Sequence, residues 1–482
     1  MRILMVASEA VPFAKTGGLA DVIGALPRAL AGLGHDVDVV MPRYRGIEAG
    51  KLARILPVAV GTVVTEARCY ATVDGGVHTV FVDHAGYFDR DHLYGASGHD
   101  YVDNPERFAF LCQAALNWAA ESETPYDLLH AHDWQAGLVP ILQRRLFPAD
   151  PARRLPTVFT IHNLAYQGIF DASWLPYLGL GWEMMRVDAM EYWGRISYLK
   201  AGVVFGDVIT TVSPRYAEEI QTVELGFGFD GILRERASDL VGILNGIDYD
   251  QWDPARDPNI PRPYTAEDLD GKEAAKRTLL ERYHLPATVE ALSRPVIGLI
   301  SRMVDQKGFD LLADIADELP RLGAAFVLLG SGERRYEDQW LALAARYPDR
   351  VAVHIGFDER LAHLIEAGAD MFLMPSQFEP CGLNQMYSLR YGTVPVVHAT
   401  GGLADTVTNF DQATGHGTGF TFDEYSPQAL LGTLRWALGV FMDRRTWRRI
   451  QQAGMGQDHS WTASAQQYVE VYERAIASRA GA

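Results

Sequence analysis

One hexapeptide occurs twice in this sequence. Thr16-Gly17-Gly18-Leu19-Ala20-Asp21 recurs letter for letter as Thr400-Gly401-Gly402-Leu403-Ala404-Asp405. Each copy follows an apolar run and opens a helical pattern. A Gly-Gly pair at a strand-to-helix turn exposes backbone N–H groups, and the helix start adds partial positive charge, so such a turn suits an anion. The plainer reading is a tight turn without a ligand. Lys15 precedes the first copy. Asp21 and Asp405 sit one turn into their helices, either as partners of the helix dipole or as acceptors for a polyhydroxylated ligand. Ser301-Arg302-Met303-Val304-Asp305-Gln306-Lys307-Gly308 puts two cations after a buried strand, where open α/β sheets bind ligands. Arg302 can grip phosphate with two parallel hydrogen bonds and Lys307 acts as a point charge; otherwise both pair with nearby acids on a solvated loop.

Phe378-Glu379-Pro380-Cys381-Gly382-Leu383-Asn384-Gln385 begins a further helix. Glu379 can bind sugar hydroxyls, balance the cations or cap that helix. Cys381 has no recognisable base beside it, so it reads as a small residue in a tight turn. His130-Ala131-His132-Asp133-Trp134-Gln135 raises zinc. Alternate strand residues point the same way but stand far apart, and no further ligand follows at short spacing, so zinc is not expected. Asp133 and Trp134 either line a sugar site or are buried structural groups. His162 and Asn163 follow another strand, and His162 is either a ligand contact or a satisfied buried group. Asn245-Gly246-Ile247-Asp248 reads as a turn and domain boundary. Tyr94, in the polar loop 83–104, is a lid aromatic or a surface residue. Leu329-Gly330-Ser331-Gly332 is half of a dinucleotide fingerprint, a weak signal.

The elements that must position these groups are short apolar runs: Arg2–Ala7, Asp36–Met41, Asp127–Ala131, Thr157–Ile161 and Asp207–Val212 in the first half. Pro295–Ile300, Ala324–Leu329, Arg350–Ile355, Asp370–Met374 and Val394–Val397 follow in the second. Continuous rather than alternating apolar character suits parallel strands buried on both faces. Helical spacing joins Leu19, Ile23, Leu26, Leu30 and Leu33, and again Phe108, Leu111, Ala115 and Trp118 within Pro105–Ala120. The stretch 52–83 alternates around Asp74-Gly75-Gly76 and reads as a hairpin inserted on the sheet. The Pro- and Asp-rich stretch 248–270 reads as the connection between two doubly wound α/β blocks. The domains expected are 1–247, 248–457 and a C-terminal helix, 458–482, packing back on the first, with Ala465, Tyr468, Val469 and Tyr472 inward.

Composition limits the function. The 482 residues carry 43 basic and 61 acidic side chains, a net charge of −18. Nucleic acid and anionic membranes are therefore not expected partners. Cys69, Cys112 and Cys381 are too few for a disulfide framework, which points to a reducing, cytoplasmic setting. Glu9 interrupts the first apolar run too early for a secretory signal, and no apolar stretch has the length to span a membrane.

Taken together these motifs resemble the family of bacterial glycogen synthases and plastid starch synthases. The resemblance runs from Met1 to about Tyr472. It rests on Lys15 through Val22, His132 through Gln135, Thr160 through Leu164, Asn245 through Asp248, Ser301-Arg302 with Gln306-Lys307-Gly308, and Glu379 through Leu383 with Thr400 through Asp405. It implies a GT-B fold, two Rossmann-like doubly wound domains facing across a deep cleft. It implies transfer of glucose from ADP-glucose to the non-reducing end of glycogen or another α-1,4-glucan, with retention and without metal or cofactor. Matched by motif, Lys15, Arg302 and Lys307 would hold the diphosphate together with the helix starts at Gly17-Gly18 and Thr400-Gly401-Gly402. Glu379 and the backbone of Cys381, Gly382 and Leu383 would hold the donor glucose. His162 would contact the sugar near the transferring carbon, with Asp133, Asn163 and Asn245 in support. Tyr94 would lie beside the donor, and Asp21 would face the acceptor. Two positions depart from related patterns. Tyr387 stands where many nucleotide-sugar transferases of related fold carry a second Glu, and Asn384 where many bacterial members have Thr. No pair of carboxylates reads as a double-displacement couple, so same-face attack assisted by the departing phosphate is expected. A nucleotide-sugar epimerase or hydrolase on the same fold, and a non-enzymatic glucan-binding protein, are the competing readings.

Overall fold

Arg2–Val6 is buried from its second residue onward and lies inside a nine-stranded sheet. In the computed structural model, which describes residues 1–96, 98–146 and 154–480, this sheet belongs to the first of two units, Met1–Leu244 with Trp461–Ala482. Its strands are β1 (Arg2–Val6), β2 (Asp36–Pro42), β3 (Lys51–Val60), β4 (Val63–Asp74), β5 (Val77–Asp83), β6 (Leu128–His132), β7 (Thr157–Ile161), β8 (Val208–Thr211) and β9 (Leu240–Gly242). They lie in the order β9-β8-β7-β6-β1-β2-β5-β4-β3. All pairings from β9 to β5 are parallel, and β4 and β3 continue antiparallel. The expected hairpin is thus a three-stranded meander whose last strand is part of the parallel sheet. Its turn at Gly75-Gly76 falls where the sequence indicated, both glycines having positive φ. Helix α1 (Gly18–Gly32) buries Leu19, Ile23, Leu26 and Leu30, while Leu33 is its half-buried C-cap. In α2 (Asn104–Ala120) the side chains of Phe108, Leu111, Ala115 and Trp118 are buried as their spacing required.

The second unit, Asn245–Ser460, holds β10 (Val296–Ile300), β11 (Ala325–Gly330), β12 (Val351–Ile355), β13 (Met371–Met374), β14 (Val394–His398) and β15 (Phe420–Phe422). Their order is β12-β11-β10-β13-β14-β15, all parallel. Alternate residues enter opposite cores: Ile297, Leu299, Phe326 and Leu328 on one face, Val296, Val327 and Leu329 on the other. Burial on both faces is why these strands read as continuous apolar runs. Helices α3 (Asp270–Arg282) and α4 (Glu359–Gly368) cover one face; α5 (Asn384–Arg390) and α6 (Gly401–Thr406) follow β13 and β14. Helix α7 (Pro427–Phe441) buries Leu430 and Leu434 in the other core. The 248–270 stretch is not slack. Asp257 binds His363 and Tyr391, the Tyr264 hydroxyl donates to the Tyr391 carbonyl, and Trp252 stacks on His363. It is a packed part of this unit.

The last helix, α8 (Trp461–Ala480), belongs to the first unit and packs on α1. Ala465, Tyr468 and Tyr472 are buried and Val469 half-buried. The Tyr472 hydroxyl meets His130 Nδ1 at 2.8 Å.

Candidate active site

Strand order fixes where ligands can bind. In an open parallel sheet the crevice opens beyond the carboxyl ends of the strands, where the order reverses. In the first unit the reversal lies between β1 and β6; in the second it lies between β10 and β13.

At the first reversal the loop after β1 leads into Gly17-Gly18. Glu9 organises it. This buried carboxylate accepts from the Thr16 N–H, from the Thr16 hydroxyl at 2.6 Å, from the Gly17 N–H at 3.3 Å and from the Tyr94 hydroxyl. Gly17 and Gly18 are exposed, and a Cβ on either would meet nothing within 4 Å. The turn is open, and the first N–H groups of α1 have no intrahelical partner. Lys15, half-exposed, pairs with Asp21 at 2.6 Å. Burial pushes the Asp21 carboxyl upward, against the pull of Lys15.

Tyr94 is neither a lid nor a surface residue. Its hydroxyl bridges Ser8, at 2.8 Å, and Glu9. Its loop is pinned by the fully buried Arg107, which donates to the carbonyls of Tyr87 and Leu93, and by Asn104, whose amide donates to the Tyr94 carbonyl. Trp134 is also no sugar platform: it is buried among Phe108, Phe170 and Tyr94.

Asp133 follows β6 with φ +55, a left-handed conformation that is uncommon for a residue other than glycine. Its Oδ1 accepts the His162 N–H at 2.8 Å. Burial pushes its carboxyl up to about 7, the Glu9 charge adds to this, and the bonded N–H groups of His162 and Asn163 oppose it. The Asn163 side chain closes a local turn on the Ala165 N–H. His162 is buried and its Nε2 lies 3.0 Å from His132 Nδ1. Burial lowers the His162 pKa to about 3, so the ring is neutral at pH 7. The strand pattern set His130 and His132 far apart, and this is not so: their ring centroids are 3.9 Å apart. Each bonds to other side chains, His130 to Tyr472 and Thr160 and His132 to His162.

At the second reversal Lys307 Nζ sits 2.8 and 2.6 Å from the two carboxylate oxygens of Glu379. The Ser376 hydroxyl also donates to Glu379, at 3.0 Å. Glu379 therefore balances a cation. It does not cap α5, whose N-cap is Leu383 with no side-chain bond. Gly308, at φ +79, lets the cation loop approach: a Cβ there would lie 2.0 Å from the Pro375 carbonyl oxygen. Arg302 is exposed, and its guanidinium makes no ion pair among the described residues. Asn384 donates to the Ile300 carbonyl at 2.8 Å, tying the start of α5 to the end of β10. Gly382 takes φ +72 between Cys381 and Leu383. The Cys381 thiol is pushed up to about 12 by burial, which leaves it protonated. The backbone N–H of Asn245 donates to it, while Asn245 Oδ1 is buried without a hydrogen-bond partner among the described residues. Tyr387 stacks on Trp252, with centroids 3.9 Å apart.

The two hexapeptides do not do the same job. Gly401 and Gly402 are buried. A Cβ on Gly401 would lie 1.9 Å from the Glu379 carbonyl oxygen, and one on Gly402 would lie 2.1 Å from that of Cys381. The Gly402 N–H already donates to the carbonyls of Glu379 and Pro380. The second copy, with Thr400 as buried N-cap, is a buttress for the 379–383 loop rather than an open anion turn. Gly330 and Gly332 likewise admit the backbone of Ser301 and Met303, a packing role. Sequence reasoning missed Glu9 as the organiser of the first turn and His132 as the partner of His162. Only the pattern of hydrogen bonds shows either.

A family model described as the starch synthase catalytic domain matches residues 2–235, and one described as glycosyl transferases group 1 matches residues 285–449. A glycogen synthase from Koribacter versatilis is 48% identical over 485 residues, covering 100% of this chain and 99% of that one. A glycogen synthase from Anaeromyxobacter dehalogenans is 53% identical over 475 residues, covering 98% of each. Among solved structures, the catalytic domain of starch synthase IV from Arabidopsis thaliana, bound to ADP and acarbose, matches with a TM-score of 0.90. It is 33% identical, with 99% of both chains covered. Sucrose-phosphate synthase from Thermosynechococcus elongatus, 17% identical with a TM-score of 0.62, shares the fold.

Proposed function

Because the chain belongs to the glycogen synthase and starch synthase family of GT-B hexosyltransferases, we propose that its donor is ADP-glucose. On this reading it adds glucose to the non-reducing end of an α-1,4-glucan with retention of configuration. The observation that carries the reading is the cation set at the β10/β13 reversal: Arg302 exposed and without an ion pair among the described residues, with Lys307 set against Glu379. A departing nucleoside diphosphate gains negative charge as the glycosidic bond breaks. In a protein of net charge −18, opposing charge comes from Arg302 and Lys307 in the second unit, and from Lys15 and the open helix start at Gly17-Gly18 in the first. Preorganised charge of this kind contributes several kcal/mol to a transition state, ~3–4 for one well-placed donor. These cations take the place of a metal, and no cofactor is needed. Glu379 and the backbone of Cys381, Gly382 and Leu383 hold the donor glucose, and Thr400, Gly401 and Gly402 support that loop. His162 meets the sugar, while Asp133 fixes its backbone. Asn163 and Asn245 border the ligand, Tyr94 holds the Glu9 turn, and Asp21 faces the acceptor.

Asp133 is a poor nucleophile for double displacement, since the N–H groups of His162 and Asn163 engage its carboxylate and burial raises its pKa. Same-face attack, with the departing phosphate taking the acceptor proton, fits better. The reference structure from Arabidopsis holds ADP, which favours ADP over UDP here. The test is incorporation of labelled glucose into glycogen from ADP-glucose and from UDP-glucose. Faster incorporation from ADP-glucose supports the proposal. Equal use of both overturns the donor assignment, and release of free glucose without elongation overturns the transferase.

A further inference from the structure

His162 has two ring nitrogens, and what it can do for a ligand depends on which one carries the proton. The surrounding bonds decide this. His130 and His132 project from the same face of β6 and are fully buried. His130 uses both nitrogens: Nδ1 faces the Tyr472 hydroxyl at 2.8 Å, and Nε2 faces the Thr160 hydroxyl at 2.6 Å, which continues to Thr210 at 2.6 Å. His132 uses only one. Its Nδ1 is 3.0 Å from His162 Nε2, and its Nε2 is buried with no hydrogen-bond partner among the described residues.

A buried N–H without a partner is rarer and costlier than a buried lone pair without one. The His132 proton therefore belongs on Nδ1, where it has an acceptor, and the idle Nε2 is a lone pair. The Nδ1–H of His132 then donates to His162 Nε2, which must be unprotonated. Both rings are neutral, since burial lowers each pKa. The single proton of His162 is left on Nδ1, a nitrogen with no hydrogen-bond partner among the described residues.

We propose that His132 is a positioning residue that locks His162 as the Nδ1–H tautomer, so that His162 offers its ligand a hydrogen-bond donor and no basic lone pair. A ring in this state grips an oxygen of the bound sugar. It cannot accept the proton of the incoming hydroxyl at Nδ1. The inference about the ligand rests on the reading that His162 meets the donor sugar; the tautomer itself does not.

The full chain with ¹⁵N-labelled histidine rings is examined by long-range ¹H–¹⁵N correlation at neutral pH. The His162 ring is identified as the spin system lost in His162→Gln. The expected spectrum has Nδ1 protonated and Nε2 bare. A protonated Nε2 in the unmodified protein overturns the proposal without reference to any variant. His132→Asn puts an amide N–H close to the position of Nδ1, so it should keep the Nδ1–H signature and most of kcat. His132→Leu removes the donor, so it should lose the fixed tautomer, with kcat falling about tenfold or more and KM for glycogen little changed. Equal loss of kcat in both variants with an unchanged His162 spectrum means a merely structural role and overturns the proposal. Full activity in His162→Gln, with the expected spectrum, refutes the sugar contact and leaves the tautomer standing.

Discussion

Gly17 and Gly401 occupy the same place in identical hexapeptides, yet they should respond in opposite ways to alanine. Gly401 has φ +45, and a Cβ there would lie 1.9 Å from the Glu379 carbonyl oxygen. The left-handed conformation costs an L-residue roughly 1–2 kcal/mol, and overpacking against main chain adds about 1–3 kcal/mol. Gly401→Ala should therefore destabilise the second unit by about 2–5 kcal/mol. For a domain of its size that is a fall of roughly 4–20 °C in Tm. Gly17 has φ −153 and nothing within 4 Å of its Cβ position, so Gly17→Ala should leave stability unchanged or raise it by about 0.4–1 kcal/mol, with Tm steady or slightly higher. The assay is calorimetry of both variants, with transitions fitted separately because a two-unit chain need not unfold in one step, followed by donor kinetics. Gly401→Ala should also lower kcat, since Glu379 and Lys307 move with the displaced loop. Gly17→Ala should act mainly on KM for the donor. Equal Tm loss in both variants, or none at Gly401, would refute the reasoning that the two copies have different roles.

Arg302→Ala should cut kcat by about 10²–10³ with Tm within about 1 °C of the parent, because its exposed guanidinium has no ion-pair partner among the described residues; a large Tm loss would count against a purely electrostatic role. Lys15→Ala should raise KM for ADP-glucose while glycogen binding, measured by affinity electrophoresis, stays the same. Its surface pair with Asp21 is worth only about 0–1 kcal/mol, so stability should not change either. Asp133 makes folding pH-dependent. The folded protein holds this proton up to about pH 7, whereas a free aspartate loses it near about pH 4, so its contribution to stability falls as pH rises from about 4 to 7 and is flat beyond. Asp133→Asn removes that loss and can still accept the His162 N–H, so its Tm relative to the parent should improve between pH 5 and pH 8. A constant Tm difference across that range would contradict the raised pKa.

Much of the fold was legible because burial on both faces writes strands as uninterrupted apolar runs, and one-sided burial writes helices such as α1 at 3.6-residue spacing. The meander was read one strand short because β5, although hydrogen-bonded parallel to β2, sits at the end of an alternating stretch. The stretch 248–270 looked like a linker by its Pro and Asp content. Its partners Tyr391 and His363 lie more than a hundred residues away in sequence, and composition cannot register them. At the site, residue type and strand-end position were enough to single out Arg302, Lys307, Glu379 and His162. They could not show that Glu379 embraces Lys307, that Glu9 organises the Thr16–Gly17 turn, or that Tyr94 is held beneath it. Identity of the two hexapeptides suggested identity of role. The difference comes from what packs against each copy: open space at Gly17 and the 379–383 backbone at Gly401.

The most direct measurement of the central claim is the fate of label from ADP-[¹⁴C]glucose incubated with the protein and glycogen. The account predicts that counts enter the polymer and that β-amylase then releases them as maltose, the product of new α-1,4 ends. Label recovered only as free glucose, or in polymer that β-amylase cannot attack, would contradict it.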